Sequence, residues 1–267
     1  MNNLNIYKAL NEVTKYIDDN LDKEIDYNHI ARILGVNVYT MQRLFAVLTN
    51  ITLSDYIRRR RMSSAGFDLY KGDLKVIDVA VKYGYDSSES FSRAFQKFHG
   101  IKPSMVKKNV HLNNFPRIIF DENIIETKEL NYEIVELDEL NLYGKGIKTS
   151  IEKIGLDAPS FYKTFENNYK DKYGNIDYGI ITYDEKRDEV ESYKCAYNKK
   201  IDELDKITIP KSKYLKFTIN NENPKDIQEM SHKFYREFLP SCKYNLKPLP
   251  ELEYYHDNIT DFLVAIY

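Results

Sequence analysis

Gly84-Tyr85-Asp86-Ser87-Ser88-Glu89-Ser90-Phe91-Ser92-Arg93-Ala94-Phe95-Gln96-Lys97-Phe98-His99-Gly100-Ile101-Lys102-Pro103 decides the fold of the first half of the chain. The spacing predicts one amphipathic helix between two glycine breaks, with Phe91, Phe95 and Phe98 on its inward face. About fifty residues upstream the same pattern occurs. Ala31 and Gly35 are separated as Ala80 and Gly84 are. Arg43-Leu44-Phe45 and Asn50-Ile51-Thr52-Leu53-Ser54 answer to Arg93-Ala94-Phe95 and Gly100-Ile101-Lys102-Pro103-Ser104. A repeated helix, glycine turn, helix unit is the helix-turn-helix outline, present twice.

Working outward, Ile6, Leu10, Val13 and Ile17 mark a helix before the first copy. Asp26 and Asn37 are expected to cap the two helices of that copy. Between the copies, residues 52–70 read as a helical rod with a Thr52–Asp55 capping box. At ~1.5 Å per residue the rod is ~28 Å long. That is close to the ~34 Å between successive major-groove faces on one side of B-DNA, so one chain can address two grooves. The rod carries Arg58, Arg59, Arg60 and Arg61, which span more than a turn and so divide between phosphate contact and tying the two units together. The residues opposite the apolar faces are Tyr39, Gln42, Arg43 and Ala46 in the first copy, and Ser88, Glu89, Ser92, Arg93 and Gln96 in the second. Arg suits guanine and Gln suits adenine.

Charge divides the same way. Residues 1–110 hold 17 Lys and Arg against 12 Asp and Glu; residues 111–267 hold 22 against 29. A basic front half fits a polyanionic partner and an acidic back half fits a cation. Cys195 and Cys242 have no metal-like spacing and fit a reducing compartment. With no leader-like N-terminus and no apolar run of membrane length, the expected location is the cytoplasm, with no membrane partner.

Residues 5–108 resemble the DNA-binding domain of the AraC/XylS family of regulators. The carrying residues are the aromatic after Gly84, then Phe91-Ser92-Arg93-Ala94-Phe95, then Gly100-Ile101-Lys102-Pro103. Asn50 stands where the first unit usually has glycine, a substitution that the left-handed conformation tolerates. The resemblance implies seven helices, the third and sixth entering the grooves. Tyr39, Gln42, Arg43, Ser88, Glu89, Ser92 and Arg93 then face bases, and Arg58, Arg59, Arg61 and Lys97 face phosphate. It also implies double-stranded DNA and RNA polymerase as partners, and activation as the usual outcome.

Residues 111–129 read as a linker. Beyond residue 130 lie 15 of the 23 tyrosines and many β-branched runs. Two successive β-α-β-β units are expected. The first has strands near 132–146, 178–183 and 191–197 around a helix near 158–169. The second has strands near 214–219, 252–256 and 262–266 around a helix near 225–238. The fold class is therefore α+β multidomain: an all-α tandem helix-turn-helix domain over 1–110 and an α+β domain over 130–267. The latter resembles the GyrI-like effector-binding domain of drug- and stress-responsive regulators, through Phe238-Leu239-Pro240 and Leu249-Pro250-Glu251-Leu252-Glu253-Tyr254-Tyr255. That resemblance implies a cleft for a lipophilic or cationic effector, with Glu253 in the pocket and Tyr255 and Phe238 around it; Tyr193 and Phe161 are expected as further lining. No cofactor and no metal are expected, since His232, Glu253, His256 and Asp257 fit no ligand spacing. No hydrolase or nucleotide-binding motif is present, so the chain is read as a non-enzyme. A hydrolase using Glu253 as general base, and a docking module without a ligand, remain the alternatives.

Overall fold

A computed structural model describes residues 6–107, 110–121, 130–151, 153–183, 190–220, 223–242 and 244–267. The chain forms two compact units. One comprises Met1–Leu34 and Leu53–Ile124; the other comprises Gly35–Thr52 and Ile125–Tyr267.

The first unit is helical: α1 (Ile6–Asp19), α2 (Tyr27–Leu34), α4 (Leu53–Lys71), α5 (Val76–Lys82) and α6 (Ser88–His99), with a 3₁₀ turn at Pro103–Met105. Ile6, Leu10, Val13 and Ile17 are buried along α1, as their spacing predicts. The Asp26 carboxylate accepts from the His29 amide at the start of α2, 3.0 Å. Ser87 caps α6 by accepting from the Ser90 amide, and Gly100 ends it at φ 79°. Phe91 and Phe95 are fully buried, worth about 1.5–3 kcal/mol each. The stretch expected to be a linker is, over 110–121, laid along this unit. The Phe115 amide donates to Ser63 Oγ at 2.7 Å, and Asn11 exchanges two hydrogen bonds with the Phe120 backbone.

The second unit contains α3 (Val38–Thr49) and an eight-stranded antiparallel sheet. Asn37 caps α3 through the Thr40 amide, and Asn50 ends it in the left-handed region at φ 58°. The strands are β1 (Glu133–Leu137), β2 (Leu140–Ser150), β3 (Tyr178–Tyr183), β4 (Val190–Tyr197), β5 (Asp205–Ile209), β6 (Ser212–Ile219), β7 (Glu251–His256) and β8 (Ile259–Ile266). Their order is β1-β6-β8-β7-β3-β4-β2-β5. The two β-α-β-β units are thus β2-α7-β3-β4 and β6-α8-β7-β8, with α7 at Ile154–Tyr173 and α8 at Pro224–Lys233. They meet where β3 pairs with β7. Each edge strand belongs to the other half: β1, which precedes β2, pairs with β6, and β5, which precedes β6, pairs with β2. The short β5 was not anticipated, because its residues Asp205-Lys206-Ile207-Thr208-Ile209 look like the polar end of a loop.

Both faces of the sheet are covered. Leu142, Ile180, Ala196, Leu252, Leu263 and Ala265 build one core. On the other face Phe262 packs against Phe217 and Phe234. After α8 the chain makes a π turn at Phe234–Phe238, in which the consecutive Phe234 and Tyr235 are both fully buried.

Candidate functional site

Two features qualify: a polar stripe on α6 and a partly open cavity in the second unit. On α6, Glu89, Arg93, Gln96 and Lys97 are exposed and Ser88 and Ser92 half-exposed, opposite Phe91, Phe95 and His99. Among the described residues neither Arg93 nor Lys97 has an ion-pair partner, so both charges face solvent. The α4 arginines differ. Arg58 and Arg59 both bind Asp55, Arg59 at 2.6 Å. Arg60 forks onto Asp18 at 2.8 and 3.0 Å and also donates to the Phe115 carbonyl. Arg61 donates to the Leu21 and Lys23 carbonyls at 2.9 and 2.7 Å. Arg60 and Arg61 therefore tie the helical unit together, whereas Arg58 keeps 55% of its side chain in solvent.

The matching stripe of α3 is covered. Tyr39 and Arg43, expected on an open face, are each 8% exposed, Ala46 is buried, and Gln42 is half-buried. The reason is their partners within the second unit. The Tyr39 hydroxyl donates to Glu251 Oε1 at 3.0 Å and lies 2.9 Å from the Tyr235 hydroxyl. Arg43 Nη2 donates to Ser231 Oγ at 3.3 Å, with its guanidinium 5.7 Å from the Tyr235 ring centre. Arg236 Nη2 donates to the Val47 carbonyl at 3.3 Å.

The cavity, about 520 Å³, lies between α7 and α8. Its floor is the β3–β7 junction and its remaining wall is the C-terminal part of α3 with Asn50, Ile51 and Thr52. Glu253 is buried at 8% exposure. It accepts from Tyr193 Oη at 3.3 Å and from Tyr255 Oη, and the two hydroxyls are 3.0 Å apart. Burial pushes its pKa above the usual carboxylate range, the tyrosine hydrogen bonds oppose the shift, and neighbouring Glu251 adds to it. Burial also raises the Tyr193 and Tyr255 phenols well above their ordinary value, so they stay protonated donors. Tyr162 stands edge-on to Tyr255 at 5.4 Å and lines the cavity. Such a site offers a buried protonatable acceptor, Glu253, in a largely apolar cavity of drug-sized volume that Glu166 and His232 also line.

Of the expected pocket residues, Glu253, Tyr255 and Tyr193 are brought together. Phe161 stands behind Tyr193, edge-on at 6.4 Å, and is not among the lining residues. Phe238 packs instead with Phe217, Phe234 and Tyr132, because the π turn aims it at that aromatic cluster. The four residues weighed as a metal set are separated. Glu253 and His256 are three apart on a strand and face opposite sides, and His256 Nε2 meets Asp261 at 2.9 Å. Two residues escaped the sequence reading. Glu251 shares a face with Glu253 and Tyr255, which their spacing of two already signals. Gly179 lies opposite Glu253 in the β3–β7 register. A Cβ there would sit 2.5 Å from Glu253 Oε2, 2.6 Å from Tyr255 Oη and 2.9 Å from Tyr193 Oη. A lone glycine within a strand pattern is the sign of such close approach.

With this geometry in view, residues 30–109 match the helix-turn-helix domain family. Residues 133–267 match the family of integron-associated effector binding proteins. The transcriptional activator AarP of Providencia stuartii is 36% identical over 98 residues, covering 37% of this chain and 73% of AarP. The regulatory protein SoxS of Escherichia coli is 32% identical over 97 residues, covering 36% of this chain and 91% of SoxS. An integron cassette protein of Vibrio cholerae is similar in structure at TM-score 0.44 and 18% identity, over 51% of this chain and 95% of that one. The chain belongs to the AraC family of DNA-binding transcription regulators, with a C-terminal domain of the integron-associated, GyrI-like effector-binding family. Among the described residues no helix is long and apolar enough to cross a membrane.

Gly179→Ala should cost about 1–3 kcal/mol in chemical denaturation, since the added methyl meets three polar atoms of a packed site. Glu253→Gln should stabilise the protein at neutral pH. A carboxyl whose folded pKa is raised stabilises fully below its unfolded pKa, about 4.3, and that contribution is lost as pH rises through the folded value. Wild type should therefore lose melting temperature relative to Glu253→Gln across that window; parallel curves refute the assignment.

Proposed function

We propose that the chain is a transcription activator whose C-terminal domain senses a lipophilic monocation, and that no catalytic step involves Glu253. The observation that carries the reading is Glu253 itself, buried at the floor of an aromatic-lined cavity, its hydrogen-bond partners among the described residues being tyrosine hydroxyls. A bound cation replaces the missing counter-charge and favours the ionised carboxylate. Apolar walls at Ala158, Pro159, Ile181 and Ile227 suit an organic body and discriminate against a small hydrated ion.

On DNA, Ser88, Glu89, Ser92 and Arg93 of α6 read base edges, with Tyr39, Gln42 and Arg43 of α3 as their counterparts in a second groove. Lys97 and the solvent-facing part of Arg58 and Arg59 meet phosphate; Arg61 serves chiefly the internal contacts described above. The exposed Arg93, without an ion-pair partner among the described residues, supports the α6 assignment. RNA polymerase is the partner through which activation would act, and the cytoplasm is where it would occur.

Two measurements test this. In full-length protein, tetraphenylphosphonium, a lipophilic monocation, should raise thermal stability by about 2.7 kcal/mol at a hundred times its Kd. The shift should vanish in Glu253→Gln and be absent for a neutral or anionic analogue. On a duplex selected from a random library, Arg93→Ala should cost about 1–3 kcal/mol at one base position and relax specificity there. Equal losses on selected and random DNA would show that Arg93 does not read sequence.

A further inference from the structure

The repeat makes α3 and α6 equivalents, yet one stripe is open and the other is built into the cavity wall. Arg43, the counterpart of Arg93, lines the cavity together with Ala46, Val47, Asn50, Ile51 and Thr52. The same helix is held at its N-terminal end by Tyr39 on Tyr235 and Glu251, and along its length by Arg43 on Ser231 and Arg236 on Val47. All of these residues lie within the second compact unit. Of the residues that would read the first half of a DNA site, Arg43 therefore also forms part of the effector's enclosure, and Tyr39 is held on the same docked helix.

The cavity of about 520 Å³ is present with α3 in place. A ligand that fills it removes water from the apolar faces of Ala46, Val47 and Ile51 and gains those contacts only while α3 stays docked. A ligand shifts an equilibrium toward the state it binds more tightly. We propose that α3 is a shared element, such that effector occupancy locks Tyr39 and Arg43 away from DNA and leaves α6 as the reading helix. This rests on the effector-pocket reading above. It also narrows the ligand: its positive centre belongs at Glu253, its apolar body lies along α3, and the Arg43 guanidinium in the same wall disfavours a second positive charge. Binding of effector and binding of DNA through α3 are then negatively coupled, and the coupling must be reciprocal.

The test uses the full chain, tetraphenylphosphonium as the probe, and the duplex selected above. Saturating probe should weaken DNA binding at least tenfold, and saturating DNA should weaken probe binding by the same factor. Ala46→Trp, which fills the cavity from the α3 side, and Ile51→Ala, which removes contact area, should each weaken the probe by fivefold or more in folded protein. DNA affinity unchanged or increased by the probe overturns the proposal. So does probe binding indifferent to both α3 variants while Glu253→Gln abolishes it, an outcome that leaves the pocket reading standing. Probe binding that survives Glu253→Gln would instead remove the pocket reading. One arm needs no ligand. Ser231→Ala with Arg236→Ala deletes two hydrogen bonds to α3, and should raise DNA affinity at least threefold without the probe, even though a positive charge is lost. Unchanged or weaker binding by that folded double variant shows that α3 is not held back, and ends the proposal.

Discussion

The pairing of β3 with β7 is the constraint on which the second unit depends. It joins two β-α-β-β halves at the centre of one sheet and so sets the separation of α7 and α8. It also brings Gly179 opposite Glu253, the one position where a side chain would collide with the carboxylate and both tyrosine hydroxyls. The missing Cβ, the buried acid and the aromatic donors are a single arrangement. A buried carboxylate with neutral partners is costly when ionised, and stabilities of whole domains are only 5–15 kcal/mol.

The helical unit solves a different electrostatic problem. Four consecutive arginines on α4 would repel one another if all were free. Two are drawn onto Asp55 and two are consumed by Asp18 and backbone carbonyls, so much of the charge works internally. Among the described residues Arg93 and Lys97 of α6 have no ion-pair partner and lie exposed. This division between holding and reaching could not be read from a basic run, because it depends on which carbonyls and acids the fold delivers to each guanidinium.

Much of the architecture was legible in the sequence. Apolar spacing of three and four located the helices, and the Gly35 and Gly84 repeat defined the two helix-turn-helix units. Alternation located seven of the eight strands, though β1 and β2 appeared as one because Asp138-Glu139 interrupts them only briefly. Glu253 and Tyr255 were reachable from the motif on β7, whereas Tyr193 comes from β4. Phe238 lies outside the lining because motif position says nothing of rotation where a helix passes into a π turn, and Phe161 stands behind Tyr193 on α7. Least legible was the environment of α3. Its sequence, Val38-Tyr39-Thr40-Met41-Gln42-Arg43-Leu44-Phe45-Ala46-Val47, carries only Gln42 and Arg43 as strongly polar residues in its first ten. A helix so apolar around its circumference is one that is covered on more than one side, a clue outweighed by the expectation of a face open to DNA.

The exchange of edge strands has a consequence in time. Neither half-domain can complete its sheet alone, because β1 waits for β6 and β2 waits for β5. Chains are made from the N-terminus at about 5–20 residues per second, and pairings distant in sequence form late. The roughly 200 residues that follow α3 therefore take on the order of 10–40 s to appear. Throughout that interval the helices around the recognition elements can fold while Tyr235, Glu251 and the strand that supports them are still unmade. A newborn chain passes through a period in which α3 is bare, before the sheet that will cover it exists.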